Sequence, residues 1–224
     1  MKKDSEIQKD VAEELAWEPM LRSDEIAVSV KDGVVTLAGT VSTYAKKVVA
    51  EKAAKRVAGV RAIALDLQVK VGSIFSRNDS EIAHAAMEAL KWNSAVREDR
   101  IKVKVEDGWV TLEGEAEWEY EKREAKESVE KLIGVRGVTN LISLEPKVKM
   151  TDVKQKIQSA FYRQAVMDAG KIQVETLNDH VILKGKVRSL AEKTDAENAA
   201  WAVPGVRQVE NNLEVDYQSA LAAY

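Results

Sequence analysis

No cysteine occurs among the 224 residues, which excludes disulfides, thiolate metal sites and cysteine nucleophiles. That absence fits reducing and oxidising compartments alike. The chain also lacks any run of about 18 apolar residues, the length needed to span a bilayer. Its first residues, Met1-Lys2-Lys3-Asp4-Ser5-Glu6, have no apolar stretch of the secretory kind. The expectation from these absences is a soluble, cytoplasmic protein. Charge of one sign is missing too: 34 basic residues stand against 37 acidic ones, for a formal net charge of −3. The balance holds locally, with 10 basic against 11 acidic residues in 4–71, 12 against 16 in 79–149, and 9 against 10 in 151–216. No segment has the basic excess on which phosphate-backbone binding depends, which argues against a nucleic-acid partner.

What the chain does have is a unit written three times. Asp32-Gly33-Val34-Val35-Thr36-Leu37-Ala38-Gly39 returns as Asp107-Gly108-Trp109-Val110-Thr111-Leu112-Glu113-Gly114, and in degraded form as Asn178-Asp179-His180-Val181-Ile182-Leu183-Lys184-Gly185. Each is followed at the same distance by Gly-Val-Arg, at Gly59, Gly134 and Gly205. Tiling of this kind marks one supersecondary package used repeatedly.

Each copy opens on a helix. Ser5, Ser80 and Thr151 align as N-cap candidates, with Ser5-x-x-Gln8 as a capping box. Apolar residues then recur every four positions: Ile7, Val11, Leu15; Ile82, Ala86, Leu90; Val153, Ile157, Phe161. That spacing lays one stripe along one face. Alternating strands follow (Ile26, Val28, Val30; Ile101, Val103, Val105; Ile172, Val174), and Asp-Gly supplies the positive-φ turn of a hairpin. Asn178-Asp179 tolerates that backbone less well. The second helix carries Ala50, Ala53, Ala54, Val57; Ala125, Ser128, Val129, Leu132; and Ala196, Ala199, Ala200, Val203, a pattern whose small residues allow close approach to a sheet. A glycine then ends the helix and a third strand closes the unit.

The reading is an α+β protein of three tandem αββαβ units, each a three-stranded mixed sheet with two helices packed on one face. The units are placed at 1–72, 78–149 and 150–217, with short linkers at Gly72–Asn78 and Pro146–Met150 and a tail at 218–224.

The order helix, Asp-Gly-x-Val-x-Leu-x-Gly hairpin, helix, Gly-Val-x-x-Val-x-Asn-x-Leu-x-Val resembles the BON domain, named for bacterial OsmY and nodulation proteins. Gly205 to Val215 carries the closing segment most fully; Asn140 keeps the asparagine in the second copy, and Leu65 replaces it in the first. The resemblance implies non-enzymatic modules of the bacterial envelope, binding phospholipid or partner proteins under osmotic and envelope stress. It makes a periplasmic location the alternative to a cytoplasmic one. Its glycines and valines are fold residues, so no binding site is carried over with them.

Catalytic, cofactor and metal sites find no support in the residues. His84 and His180 occupy non-equivalent places, and no metal-ligand spacing occurs. The alternating run Glu113, Glu115, Glu117, Glu119, Glu121 reads as a solvated strand end and helix start. Tryptophans and lysines are the stronger leads. Trp17 and Trp92 align at the end of the first helix, as a lid over the core edge or as half-wet anchors. Trp201 takes the place of Lys55 and Glu130, off the apolar stripe, and is expected to be exposed unless another surface covers it. Trp109 is expected on the sheet face that the helices leave open. Lys46, Lys47, Lys52, Lys55 and Arg56 make the second helix of copy one locally cationic, suited to peripheral contact with anionic phospholipid headgroups. The alternative is a soluble protein-interaction or chaperone-like module, self-associating through Trp201 or Trp109.

Overall fold

The computed structural model describes residues 2–72, 77–145, 153–163, 171–177 and 179–216. Three modules follow one another. The first runs α1 (Asp4–Trp17), β1 (Ile26–Lys31), β2 (Val34–Val41), α2 (Tyr44–Arg56) and β3 (Ala62–Val69). The second repeats this as α3 (Asp79–Trp92), β4 (Ile101–Glu106), β5 (Trp109–Ala116), α4 (Glu119–Glu130) and β6 (Gly137–Leu144). The third runs α5 (Val153–Arg163), β7 (Ile172–Leu177), β8 (His180–Val187), α6 (Leu190–Trp201) and β9 (Gln208–Val215). Each module has its own three-stranded sheet in sequential order, so the second strand is central. The hairpins are antiparallel, while β5 pairs with β6 and β8 with β9 in parallel. The helix between those parallel neighbours is the crossover that a parallel pair requires.

Burial follows the alternation of the central strand. In β5, Val110, Leu112 and Ala116 face inward beneath Ile82, Ala86 and Leu90 of α3 and Ala125 and Val129 of α4. The third module does the same with Val181, Leu183 and Val187 beneath Ile157, Phe161, Ala196, Ala199 and Ala200. In the first, Val35, Leu37 and Val41 are buried with Ile7, Val11, Leu15, Ala50, Ala53 and Ala54. Both helices therefore cover one sheet face, and the other stays open.

The hairpin turns take the backbone that Asp-Gly allows: φ is +52° and +75° at Asp32 and Gly33, and +50° and +77° at Asp107 and Gly108. A tether invisible to turn rules holds them. Asp79, at the start of α3, accepts from the Asp107 and Gly108 N–H groups, both at 2.8 Å. Asp4 does the same for Asp32 and Gly33 at 2.7 and 3.0 Å. Met150 stands at the corresponding place of the third copy. The glycine ending each hairpin motif answers a close approach: a Cβ on Gly114, at φ +129°, would lie 2.0 Å from the Arg100 carbonyl oxygen.

The helix starts differ from expectation. The N-cap of α3 is Asn78, whose side chain accepts from Glu81 N–H while the Glu81 carboxylate accepts from Asn78 N–H, both at 2.9 Å. Ser80 thus lies inside the first turn. In α1 the N-cap is Lys3, whose N–H bonds Glu6 at 2.7 Å. Gln8, assigned to a box with Ser5, instead donates to the Val28 carbonyl at 2.8 Å. The aspartate between cap and serine is the first helical residue, from which its carboxylate reaches the turn. Thr151, Asn178, the segment Pro146–Met150 and the tail 218–224 lie outside the described residues.

The second helices use a further acid. Glu121 is buried and accepts from Glu117 N–H at 2.8 Å and Trp118 N–H at 3.4 Å; Glu192 accepts from Arg188 N–H at 2.6 Å. Lys46 occupies that position in module one. One turn beyond Glu192, partial burial pushes the Asp195 carboxyl above its ordinary pKa, and repulsion from Glu192 adds to the shift.

Two outcomes follow for urea or thermal unfolding of the full chain. Asp79→Ala removes both turn bonds and is expected to destabilise the second module by about 1–3 kcal/mol. Asp195 has a raised folded pKa, so its stabilising contribution is present below the unfolded carboxylate pKa and is lost as pH rises through the folded value. Asp195→Asn is therefore expected to raise the melting temperature at neutral pH, an advantage that vanishes below about pH 4.

Candidate functional site

The apolar stripes of α1 and α3 close at Leu15 and Leu90, which are buried. Two further residues turn the helix by about 200°, so Trp17 and Trp92 point away from the core rather than over it. They are 84% and 82% exposed, which replaces the lid reading with that of solvent-exposed indoles. Trp92 Nε1 reaches the Glu88 carboxylate one turn back at 3.3 Å. Met20 and Met87, each 52% exposed, add apolar surface in the same two modules.

Trp201 corrects the expectation of exposure. It is half-buried and packs on the core of module three, with Nε1 3.5 Å from Glu197. The position faces outward in no module: Lys55 is half-buried and Glu130 is buried. The last turn of the second helix is more enclosed than its charged occupants imply. Trp109 lies, as expected, on the open sheet face. Its Nε1 donates to Thr139 Oγ1 at 2.8 Å, and its ring lies across Gly137, where a Cβ would come within 2.5 Å of ring carbon.

The cationic helix is more occupied than its sequence implies. Arg56 bonds Glu14 of α1 at 2.7 Å and also pairs with Glu18. Hydrogen bonding to Glu18 outweighs desolvation and raises the guanidinium pKa further. Lys55 pairs with Glu51 at 2.6 Å, and Lys47 and Lys52 also have interactions within the molecule. Lys46 is half-buried near the helix start, its N–H bonded to Thr43 Oγ1 at 3.3 Å. The Arg56 bridge draws the last turn of α1, and Trp17 with it, to the last turn of α2.

The acidic run divides by role. Glu113 and Glu115 are exposed on β5, Glu117 pairs with Arg97 and Arg100 at 3.3 and 3.5 Å, and Glu121 closes the turn into α4. His84 is exposed on α3, and His180 lies 3.6 Å from Glu210 in module three. Among the described residues no cluster of three metal-ligating side chains occurs, and no helix is long and apolar enough to cross a membrane. An open depression of about 310 Å³ is lined by Arg77, Asn78, Asp79, Asp107, Gly108 and Arg136. Its charges balance, and Asp79 already serves the turn.

The motif asparagines prove to be ties within the fold. Asn140 Nδ2 donates to the Lys122 carbonyl at 2.7 Å while its Oδ1 accepts from Ile142 N–H at 3.2 Å; Asn211 does the same with Lys193 and Leu213 at 2.9 and 3.3 Å. Spacing alone placed them on a strand, and only the helix carbonyl opposite explains them.

Two solved structures of CdsD, described as a structural protein of the type III secretion system of Chlamydia trachomatis, are similar over 96% of this chain. One shares 12% identity with a TM-score of 0.26 and is covered over 95% of its length. The other, its C-terminal domain, shares 12% identity with a TM-score of 0.25 and is covered over 98%. At those scores the likeness carries no argument about role. No curated protein matches the chain. The model of the BON domain, by contrast, matches residues 3–71, 78–146 and 150–217. With one helix–hairpin–helix–strand module in triplicate, its hairpin-ending and helix-ending glycines in all three copies and its asparagine in the second and third, the chain belongs to the BON domain family.

Proposed function

We propose that this tandem BON protein is a non-enzymatic binding protein that docks peripherally on anionic phospholipid surfaces, as part of bacterial envelope or osmotic-stress maintenance. One observation carries the reading: Trp17 and Trp92 are aligned at the ends of the first helices and leave more than four fifths of each residue in solvent. An indole is stable at a headgroup boundary, where its apolar body and its N–H are both accommodated. The helix stripes are committed to the sheets, so contact is superficial rather than inserted. The cationic helix adds only a small electrostatic contribution, because Lys55 and Arg56 are paired within the molecule and Lys47 and Lys52 also have interactions there. Protein binding is the second reading, favoured by the exposed Leu141 on the sheet of module two.

Vesicle co-sedimentation tests the lipid reading. Phosphatidylglycerol-containing vesicles are expected to retain more protein than phosphatidylcholine vesicles at low salt. Trp17→Ala with Trp92→Ala is expected to weaken binding about tenfold, near 1.4 kcal/mol, while Trp201→Ala leaves it unchanged. Equal retention by both vesicle types would end this reading.

A further inference from the structure

Six strands lie at sheet edges: β1, β3, β4, β6, β7 and β9. An edge offers a row of unpaired backbone groups, and proteins commonly guard it with charge. Five of the six carry such a guard: Lys31 in β1, Asp66 in β3, Lys102, Lys104 and Glu106 in β4, Glu175 in β7, and Glu210 and Glu214 in β9. The exception is β6, Gly137-Val138-Thr139-Asn140-Leu141-Ile142-Ser143-Leu144, with no ionisable side chain over 8 residues.

Comparison within the chain sharpens the point. On the open face, β3 presents Asp66 and Gln68, and β9 presents Glu210, Asn212 and Glu214. At the places equivalent to Asp66 and Asn212, β6 presents Leu141, which is 58% exposed. Beside it the face continues through Thr139, Gly137 and the ring of Trp109. Among the described last strands, β6 thus presents an apolar residue without charge where the other two are polar.

We propose that β6 is a self-association edge, pairing antiparallel with β6 of a second copy of this chain about a two-fold axis at Leu141. The strand is close to palindromic in the residues it would align. With Leu141 opposite Leu141 of the second copy, Thr139 meets Ser143 and Ser143 meets Thr139, joining apolar to apolar and hydroxyl to hydroxyl. Pairing with even register keeps both open faces on the same side, so the two sheets join into one of six strands with their helices on the other side. The contact is isologous and closes at two. The same operation on β9 brings Glu210 opposite Glu214 of the second copy, a like-charge pairing that disfavours it. The occupant is a second copy because the strand, read antiparallel to itself, sets leucine against leucine and hydroxyl against hydroxyl and brings no like charges together. This inference does not rest on the lipid reading, and vesicle binding by either a monomer or a dimer leaves the two separable.

Sedimentation velocity on the full chain, from low micromolar to several hundred micromolar, is expected to show a monomer–dimer equilibrium that stops at two. Leu141→Asp, which installs the residue module one carries, is expected to weaken the dimer at least about tenfold with an unchanged circular dichroism spectrum and melting curve. The absence of native cysteine supplies a second arm. Leu141→Cys is expected to oxidise to a linked dimer, since directly opposed residues of an antiparallel pair have Cα atoms about 4.5–5.5 Å apart, within the range a disulfide bridges, while Asn212→Cys stays monomeric. The proposal is overturned by a monomer at every concentration, by a dimer indifferent to Leu141→Asp, by masses growing past two copies, or by equal cross-linking of both cysteine variants.

Discussion

A small sheet covered on one side must send every core side chain to that side, and this constraint governs the whole molecule. The central strands satisfy it with two fully buried residues each: Val35 and Leu37, Val110 and Leu112, Val181 and Leu183. Alanines on the second helix let its backbone lie near the sheet, and Ala50, Ala53, Ala54, Ala125, Ala196 and Ala200 have no exposed surface. Once the helices are committed in this way, their stripes are unavailable to other partners. Binding has to use what remains: helix ends, the outward sheet face and strand edges.

Those remaining surfaces are where the copies diverge. The interior keeps its apolar character position by position, with identical valine and leucine on the central strands, while the outside changes sign, size and polarity. The outward sheet position held by Val34 in module one is Trp109 in module two and His180 in module three, the latter two lying opposite Gly137 and Gln208. Trp109 and Gly137 have changed together, the larger ring lying where the smaller neighbour leaves space. Tandem duplication here gives three outsides on one inside.

The fold was legible because its rules are local and periodic. A stripe every four residues, alternation every two, and Asp-Gly between strands each admit one structural answer, and the burial of Ile82, Ala86 and Leu90 or of Val110 and Leu112 matches it. The surfaces were less legible because they depend on what lies opposite in space. Nothing near Asp79 in sequence points to a turn 28 residues away. Arg56 reads as a surface cation until Glu14 and Glu18 are seen across from it. The lid reading of Trp17 and Trp92 fails at the scale of half a helical turn, while exposure fails for Trp201 because its ring packs on the core of module three.

The carboxylate tether at the start of the first helix links a helix to a hairpin that is formed later in the chain. Modules one and two have it, through Asp4 and Asp79. The third copy has Met150 at that place and Asn178-Asp179 in place of the Asp-Gly pair, so its sequence carries neither half of the latch. A latch is retained only as a pair, since an aspartate without its turn, or a turn without its aspartate, confers little. In the third module the described anchor of the hairpin tip lies on its other side, where the Asp179 carbonyl accepts from the Arg207 and Gln208 N–H groups at 2.9 and 3.4 Å.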